Sequence, residues 1–197
     1  MESSLFMKIV FATGNPHKLK EIKEIAGNTD ITFVLPAKGF NPVENGKTFE
    51  ENSLLKSRTI AKLVNMPCLA DDSGLCVDAL NGAPGVYSAR YAPNRDFDKG
   101  MEKLLAEMEK SPNKSRNAHF SCVISLAWPD GQYKVFAGQV DGKIAFHKMG
   151  AGGFGYDPLF VPEGFTSSFA QMSQEEKNKI SHRGRAVEKL KDFLNNL

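Results

Sequence analysis

The chain is 197 residues long, 41% hydrophobic and 24% charged, which is ordinary globular usage and enough apolar side chain to bury a core. Its 25 basic and 23 acidic residues leave a net charge of +2 without a block of either sign, so nothing calls for a nucleic acid or an anionic membrane as partner. Three widely spaced cysteines, Cys68, Cys76 and Cys122, form no C-x-x-C pair and sit among apolar neighbours, as reduced, packed thiols do. The opening residues, Met1 to Met7, lack the basic and apolar regions of a signal peptide, and no apolar run is long enough to span a bilayer. The expectation is a soluble, cytoplasmic protein: one α/β domain over residues 1–197, with residues 1–6 a short N-terminal extension.

In chain order, Lys8 to Ala12 reads as a buried strand that runs into Thr13-Gly14-Asn15-Pro16, with Asn15 placed to cap a helix and Pro16 to start it. Leu19, Ile22, Ile25 and Ala26 mark that helix's inner face, Gly27 its end, and Ile31 to Leu35 a second strand. Thr48-Phe49-Glu50-Glu51 is a capping box opening a helix to about Val64. On it Asn52, Lys56 and Thr59 share a polar stripe, while Leu54, Leu55, Ala61 and Leu63 are available for packing. Pro67 to Ala70 and Leu75 to Ala79 read as two short strands flanking Asp71-Asp72-Ser73-Gly74. Met101, Leu104, Leu105 and Met108 define an amphipathic helix. Ala118 to Trp128 and Tyr133 to Val140 are strands joined around Asp130-Gly131, with a further turn at Asp141-Gly142. A glycine-rich loop at 150–155 precedes two helices, one capped by Ser173 with Glu176 and one from about Ser181 to Leu194. The order predicts an α/β fold with a mixed sheet and flanking helices.

Several segments carry the residue types that chemistry needs. Thr13 to Lys18 leaves a strand and enters a helix, so free N–H groups and the helix dipole face whatever lies above the sheet edge. An ordinary capped turn explains it equally well, and it is not a Walker A loop. The adjacent carboxylates Asp71 and Asp72 repel unless solvated or bound to a cation, and a hard divalent ion resolves the conflict. The alternative is one capping aspartate and one solvated. Glu51 is accounted for by its capping box; Glu44 has no evident structural task and is either a metal ligand or solvated.

Residues 150–155 match G-x-G-x-x-G literally, but Pro158 disfavours the helix that a dinucleotide site requires, so that assignment is rejected. What remains is a loop presenting Phe154 and Asp157, able to stack on a base and accept from its ring N–H, or a turn with Phe154 in the core. His182 and Arg183 follow Ser181 at a helix start, where Arg183 suits a keto oxygen or a phosphate, or Ser181 is simply an N-cap with both side chains solvated. His17, His119 and His147 show no metal-ligand spacing.

Taken together and in this order, T-G-N-P-H-K at 13–18, F-E-E-N-S-L-L-K at 49–56, D-D-S-G-L at 71–75, G-A-P-G-V-Y-S-A-R-Y at 82–91, G-G-F-G-Y-D-P at 152–158 and E-E-K-N-K-I-S-H-R-G at 175–184 resemble the inosine triphosphate pyrophosphatase family. The similarity runs from about Lys8 to the C-terminus. It implies an elongated mixed sheet with flanking helices, two lobes with an active-site cleft between them, and a homodimer. It also implies a small-molecule nucleoside triphosphate as substrate: ITP, dITP or XTP, cleaved to the monophosphate and pyrophosphate by Mg²⁺-assisted water attack on the α-phosphate. By motif match, Thr13, Asn15, Lys18 and Lys56 would hold the triphosphate with Ser73 near it, and Glu44 and Asp72 would bind Mg²⁺, Asp72 serving also as general base. Phe154 would stack on the purine while Asp157, Lys177, His182 and Arg183 read its edge. The same motifs extend substrate contact to Gly14, Pro16, His17, Gly155 and Tyr156. Rival readings are a pyrophosphatase for modified pyrimidine or methylated nucleotides and a non-catalytic nucleotide sensor.

Overall fold

The computed structural model describes residues 7–26, 31–35 and 44–196. Among the described residues, six strands form one sheet in the order β2-β1-β3-β4-β5-β6: β1 Met7–Phe11, β2 Ile31–Val34, β3 Cys68–Val77, β4 Asn117–Ala127, β5 Tyr133–Ile144 and β6 Phe160–Pro162. The described α-helices are α1 Pro16–Ala26, α2 Phe49–Val64, α3 Phe97–Lys110, α4 Gln174–Ile180 and α5 His182–Leu194. β1 runs parallel to β2, Met7 opposite Ile31, and parallel to β3, Val10 opposite Cys68. β5 and β6 are antiparallel, with Gly142 opposite Pro162. The sheet is therefore mixed and the fold α/β, as the alternation of elements predicts.

The chain divides into two compact units, residues 1–72, 123–137 and 186–197 in one and 73–122 and 138–185 in the other. In the first, Val10, Ala12, Cys68, Ala70 and Ala127 of the strands pack under Ile60 and Ala61 of α2. Small side chains let α2 approach closely. Ser53 and Ser57 are fully buried there and share the Ser125 hydroxyl at 2.7 and 2.8 Å, so each hydroxyl removed from water has a partner. In the second unit, Leu75, Val77, Phe120, Val140 and Ile144 pack with Met101, Leu104 and Met108 of α3 and with Tyr156, Leu159, Phe160 and Phe169.

Four expectations are corrected. Asp71 to Gly74 does not separate two short strands; it lies within the continuous β3. Asp, Ser and Gly are poor strand formers, but β3 pairs with β1 at Cys68 and Leu69 just before them, and sheet context overrides local preference. Asp141-Gly142 likewise falls inside β5 rather than in a turn. A Cβ at Gly142 would stand 2.3 Å from the Val161 carbonyl oxygen, so glycine is there for the approach of β6.

On α2, the buried face is Asn52, Ser53, Lys56, Ser57, Ile60 and Ala61, while Leu63 is 61% exposed and Thr59 is exposed. The polar stripe thus points inward over its first two members, because polar partners wait on β3. The capping box at Thr48 forms only in half: Thr48 Oγ1 accepts from the Glu51 N–H at 3.1 Å, but the Glu51 carboxylate takes the Lys47 N–H at 2.6 Å. At Ser173 the box is complete. Residues 1–6, the helix end at Gly27 and the side chains of Ile25 and Ala26 lie outside what is described.

Candidate active site

In the first unit the functional side chains gather where β1, α1, α2 and β3 meet. The Thr13 Oγ1 accepts the Asn15 N–H at 3.1 Å, and Asn15 Oδ1 accepts the N–H groups of His17 at 2.9 Å and Lys18 at 3.4 Å. Asn15 is therefore the cap of α1, and Pro16 its first residue, as the sequence predicts. The cap leaves the Asn15 amide nitrogen as a side-chain donor at a helix N-terminus. His17 itself is exposed. A Cβ at Gly14 would meet nothing within 4 Å among the described residues, so packing does not require glycine at that point.

Asp71 and Asp72 are neighbours on β3, both buried. Lys18 Nζ reaches Asp71 Oδ2 at 2.8 Å. On the α2 side, Asn52 Nδ2 donates to Asp72 Oδ2 at 3.0 Å. Lys56, 7% exposed, gives Nζ to Glu44 Oε1 at 2.5 Å and to the Asp71 carbonyl at 2.6 Å. Burial alone would lower the Lys56 pKa, but the charges of Asp71, Asp72 and Glu44 outweigh it and the net movement is upward. Asp72 moves up as well: burial raises it, Lys56, Lys18 and Asn52 pull it back, and the Glu44 charge adds to the rise. This is a site in which two cations stand against three carboxylates.

The carboxylates present suit a hard cation. Among the described residues no group of three or more His, Cys, Asp or Glu side chains is arranged to hold a metal. Glu44 and Asp72 are a pair close enough for one charge to raise the other's pKa. Oxygen donors in that number fit Mg²⁺, which keeps waters and takes substrate phosphates as its remaining ligands.

In the second unit the glycine-rich loop is held by one carboxylate. Asp157, 3% exposed, receives the Phe154 N–H at 2.8 Å and Lys177 Nζ at 2.7 Å on the same oxygen, Oδ2. Gly153 has φ +68°, and a Cβ there would sit 2.2 Å from that oxygen. The loop closes on Asp157 only because Gly153 has no side chain. Lys177 Nζ also lies 4.7 Å from the centre of the Phe154 ring, and Arg183 Cζ 5.7 Å from it, so two cations border one aromatic ring. Arg183 is 1% exposed and donates to Ser73 Oγ at 3.0 Å. Ser181 caps α5 through the Gly184 N–H at 3.0 Å, as expected, and fixes where that helix begins.

Two of the sequence-derived residues also make core contacts. His182 stacks on Phe120 with ring centres 4.7 Å apart and 5% exposure. Tyr156 belongs to the core cluster and gives its hydroxyl to the Ser88 carbonyl at 3.1 Å. Gly155, at φ +66°, stands against the Phe97 ring.

A sequence profile of the Ham1 family matches residues 9–193. The chain belongs to the Ham1 family. It is 47% identical over 190 residues to a dITP/XTP pyrophosphatase of Leuconostoc mesenteroides, covering 93% of this chain and 94% of that one. Its fold is similar to that of the HAM1 protein of Coxiella burnetii, with a TM-score of 0.90 at 38% identity over 97% of this chain and 100% of the other. It is similar also to the Staphylococcus aureus Ham1 protein, with a TM-score of 0.87 at 44% identity, covering 96% and 98%. This is the relationship to which the ordered motifs point.

For a Ham1-family chain, the sequence reading missed two participants. Asp71 carries its own ion pair rather than duplicating Asp72. Asn52 holds Asp72, and the sole signal for it was its place four residues before Lys56 on one helix face.

Proposed function

We propose that this Ham1-family protein is a Mg²⁺-dependent pyrophosphatase acting on the non-standard purine nucleoside triphosphates ITP, dITP and XTP. Water adds to the α-phosphorus, the bond from that phosphorus to the α,β-bridging oxygen breaks, and a nucleoside monophosphate and pyrophosphate leave. What supports the reading most is the convergence of Lys18 and Lys56 on Asp71, Asp72 and Glu44 beside the capped start of α1. The cations there match a polyphosphate, and the carboxylates match its counter-ion.

Glu44 and Asp72 would hold the cation, which when bound acidifies water and offsets phosphate charge. Asp72 takes the proton of the attacking water on its carboxylate, for which burial already raises its basicity. Lys18, Lys56, Thr13, Asn15 and the positive end of the α1 dipole neutralise the departing pyrophosphate. At the other end of the nucleotide, Phe154 stacks on the base. Asp157 accepts from the ring N–H; a carboxylate has about four lone-pair positions, so the two donors at Oδ2 do not exhaust it. Lys177, Arg183 and His182 favour a keto oxygen at the purine 6-position. An amino group there leaves buried donors unpaired, which costs on the order of 10⁴-fold in specificity.

In the same reading the protein is cytoplasmic and dimeric. Among the described residues no helix is long and apolar enough to cross a membrane.

Purified protein with Mg²⁺ should release pyrophosphate from ITP, dITP and XTP and much less from ATP or GTP. Asp72→Asn should abolish turnover while nucleotide binding persists. Equal turnover of all purines removes the specificity claim, and an active Asp72→Asn removes Asp72 as the base.

A further inference from the structure

Asn52 is fully buried, with 0% exposure, in the second turn of α2. Its amide is used at both ends. Oδ1 accepts the Gly46 N–H at 2.8 Å, and Nδ2 donates to Asp72 Oδ2 at 3.0 Å. The orientation of the amide follows from its partners, because a backbone N–H can only donate and must meet the oxygen. Asn52 therefore ties the segment carrying Glu44, two residues before Gly46, to the strand carrying Asp72.

The segment is shaped for this contact. A Cβ at Gly46 would lie 2.7 Å from Glu51 Cβ and 2.8 Å from Asn52 Oδ1, so the chain reaches Asn52 only with glycine at that position. Lys47 N–H on the Glu51 carboxylate and Thr48 as cap fold the same stretch back onto the start of α2. One turn later Lys56 repeats the link, from Glu44 to the Asp71 carbonyl. Lys56 is a charge that a phosphate can also claim. Asn52 is neutral and offers a phosphate no charge to claim.

We infer that Asn52 is a positioning residue that sets the separation and orientation of Glu44 and Asp72 as a cation-binding pair. The inference rests on the proposed metal-dependent reading and adds to it a residue that touches neither nucleotide nor reacting water. A partner that orients a metal ligand typically contributes about 10- to 100-fold in metal affinity or activity.

The test uses the full chain and two variants. Asn52→Ala removes both bonds. Asn52→Asp keeps an acceptor for Gly46 but sets a second carboxylate against Asp72, so it isolates the bond to Asp72. For Asn52→Ala the expected result is a half-saturating Mg²⁺ concentration raised about 10-fold and a kcat lowered about 10- to 100-fold. The KM for dITP at saturating Mg²⁺ should stay within about 3-fold of the wild-type value, since no nucleotide contact is lost. Binding of Mn²⁺ to the protein alone, read by electron paramagnetic resonance, should weaken in parallel.

A folded Asn52→Ala with wild-type metal response overturns the inference. Should that variant fail to fold, Asn52→Asp decides: unchanged kcat and Mg²⁺ response overturn it, and a fall in kcat at unchanged KM supports it. Wild-type protein that binds Mn²⁺ in an Asn52-dependent way yet leaves dITP intact would sink the pyrophosphatase reading and leave this inference standing. An active wild type with indifferent Asn52 variants does the reverse.

Discussion

The Lys177 ammonium lies 2.7 Å from the Asp157 carboxylate, and the two side chains are only 3% and 4% exposed. Removing one member of a buried pair strands the other charge, which costs about 3–5 kcal/mol. Lys177→Met should therefore lower unfolding stability by roughly 3 kcal/mol in a urea titration. A loss below about 1 kcal/mol, the ordinary worth of an exposed pair, would show that water reaches this pair in solution.

The same carboxylate makes a sharper prediction for its neighbour. Gly153→Ala sets a methyl 2.2 Å from Asp157 Oδ2 and also strains a backbone at φ +68°, so the loop cannot keep its hold on Asp157. KM for dITP should rise at least about 10-fold through misplacement of Phe154. Gly131→Ala is the control: φ is +95°, yet nothing lies within 4 Å, so about 1 kcal/mol of stability is lost and KM is unchanged. Steady-state kinetics and thermal melts on both variants separate steric from conformational cost.

Local features with one cause were legible in the sequence. Asn15 and Pro16 start α1, Ser173 and Glu176 close a reciprocal cap on α4, and Trp128 to Gln132 make a turn with Gly131 at positive φ. What escaped depended on partners distant in sequence. Asp71 to Gly74 looks like a turn until the sheet carries β3 straight through it, and Gly142 looks like a turn until β6 packs on it. Among candidate residues, Glu44, Asp72 and Arg183 could be named from motif order. That Asn52 and Lys56 face inward, while Leu63 faces out, could not, because helix periodicity finds apolar stripes and this stripe is polar where it meets Asp71 and Asp72. His182 and Tyr156 carry contacts that motif order does not reveal, the one stacked on Phe120 and the other bonded to the Ser88 carbonyl.

Arg183 carries a prediction about selectivity. Its planar group donates to Ser73 and borders Phe154 at once, which a lysine cannot reproduce. Arg183→Lys should narrow the ratio of kcat/KM for XTP over ATP by at least about 10-fold, mainly through loss on XTP. An unchanged ratio in competition assays would move recognition of the 6-position elsewhere.

Burial pushes the Cys68 thiol from its ordinary 9.0 up to about 12, with a backbone hydrogen bond from Ala12 opposing the rise. The folded chain thus keeps a proton that the unfolded chain sheds above about pH 9. Stability should be fully present below that pH and decline as pH climbs toward about 12, by at most about 1.4 kcal/mol per pH unit from this group. Comparison with Cys68→Ala across that window isolates the contribution; parallel curves for the two proteins would contradict it. Thiol reagents at pH 8 should modify the half-buried Cys76 before Cys68 or Cys122.

Hydrolysis of XTP in ¹⁸O-labelled water tests the central claim most directly. Attack at the α-phosphorus predicts one labelled oxygen in the product XMP, unlabelled pyrophosphate, and no turnover by Asp72→Asn. Label in the pyrophosphate, or release of orthophosphate in its place, would contradict the account.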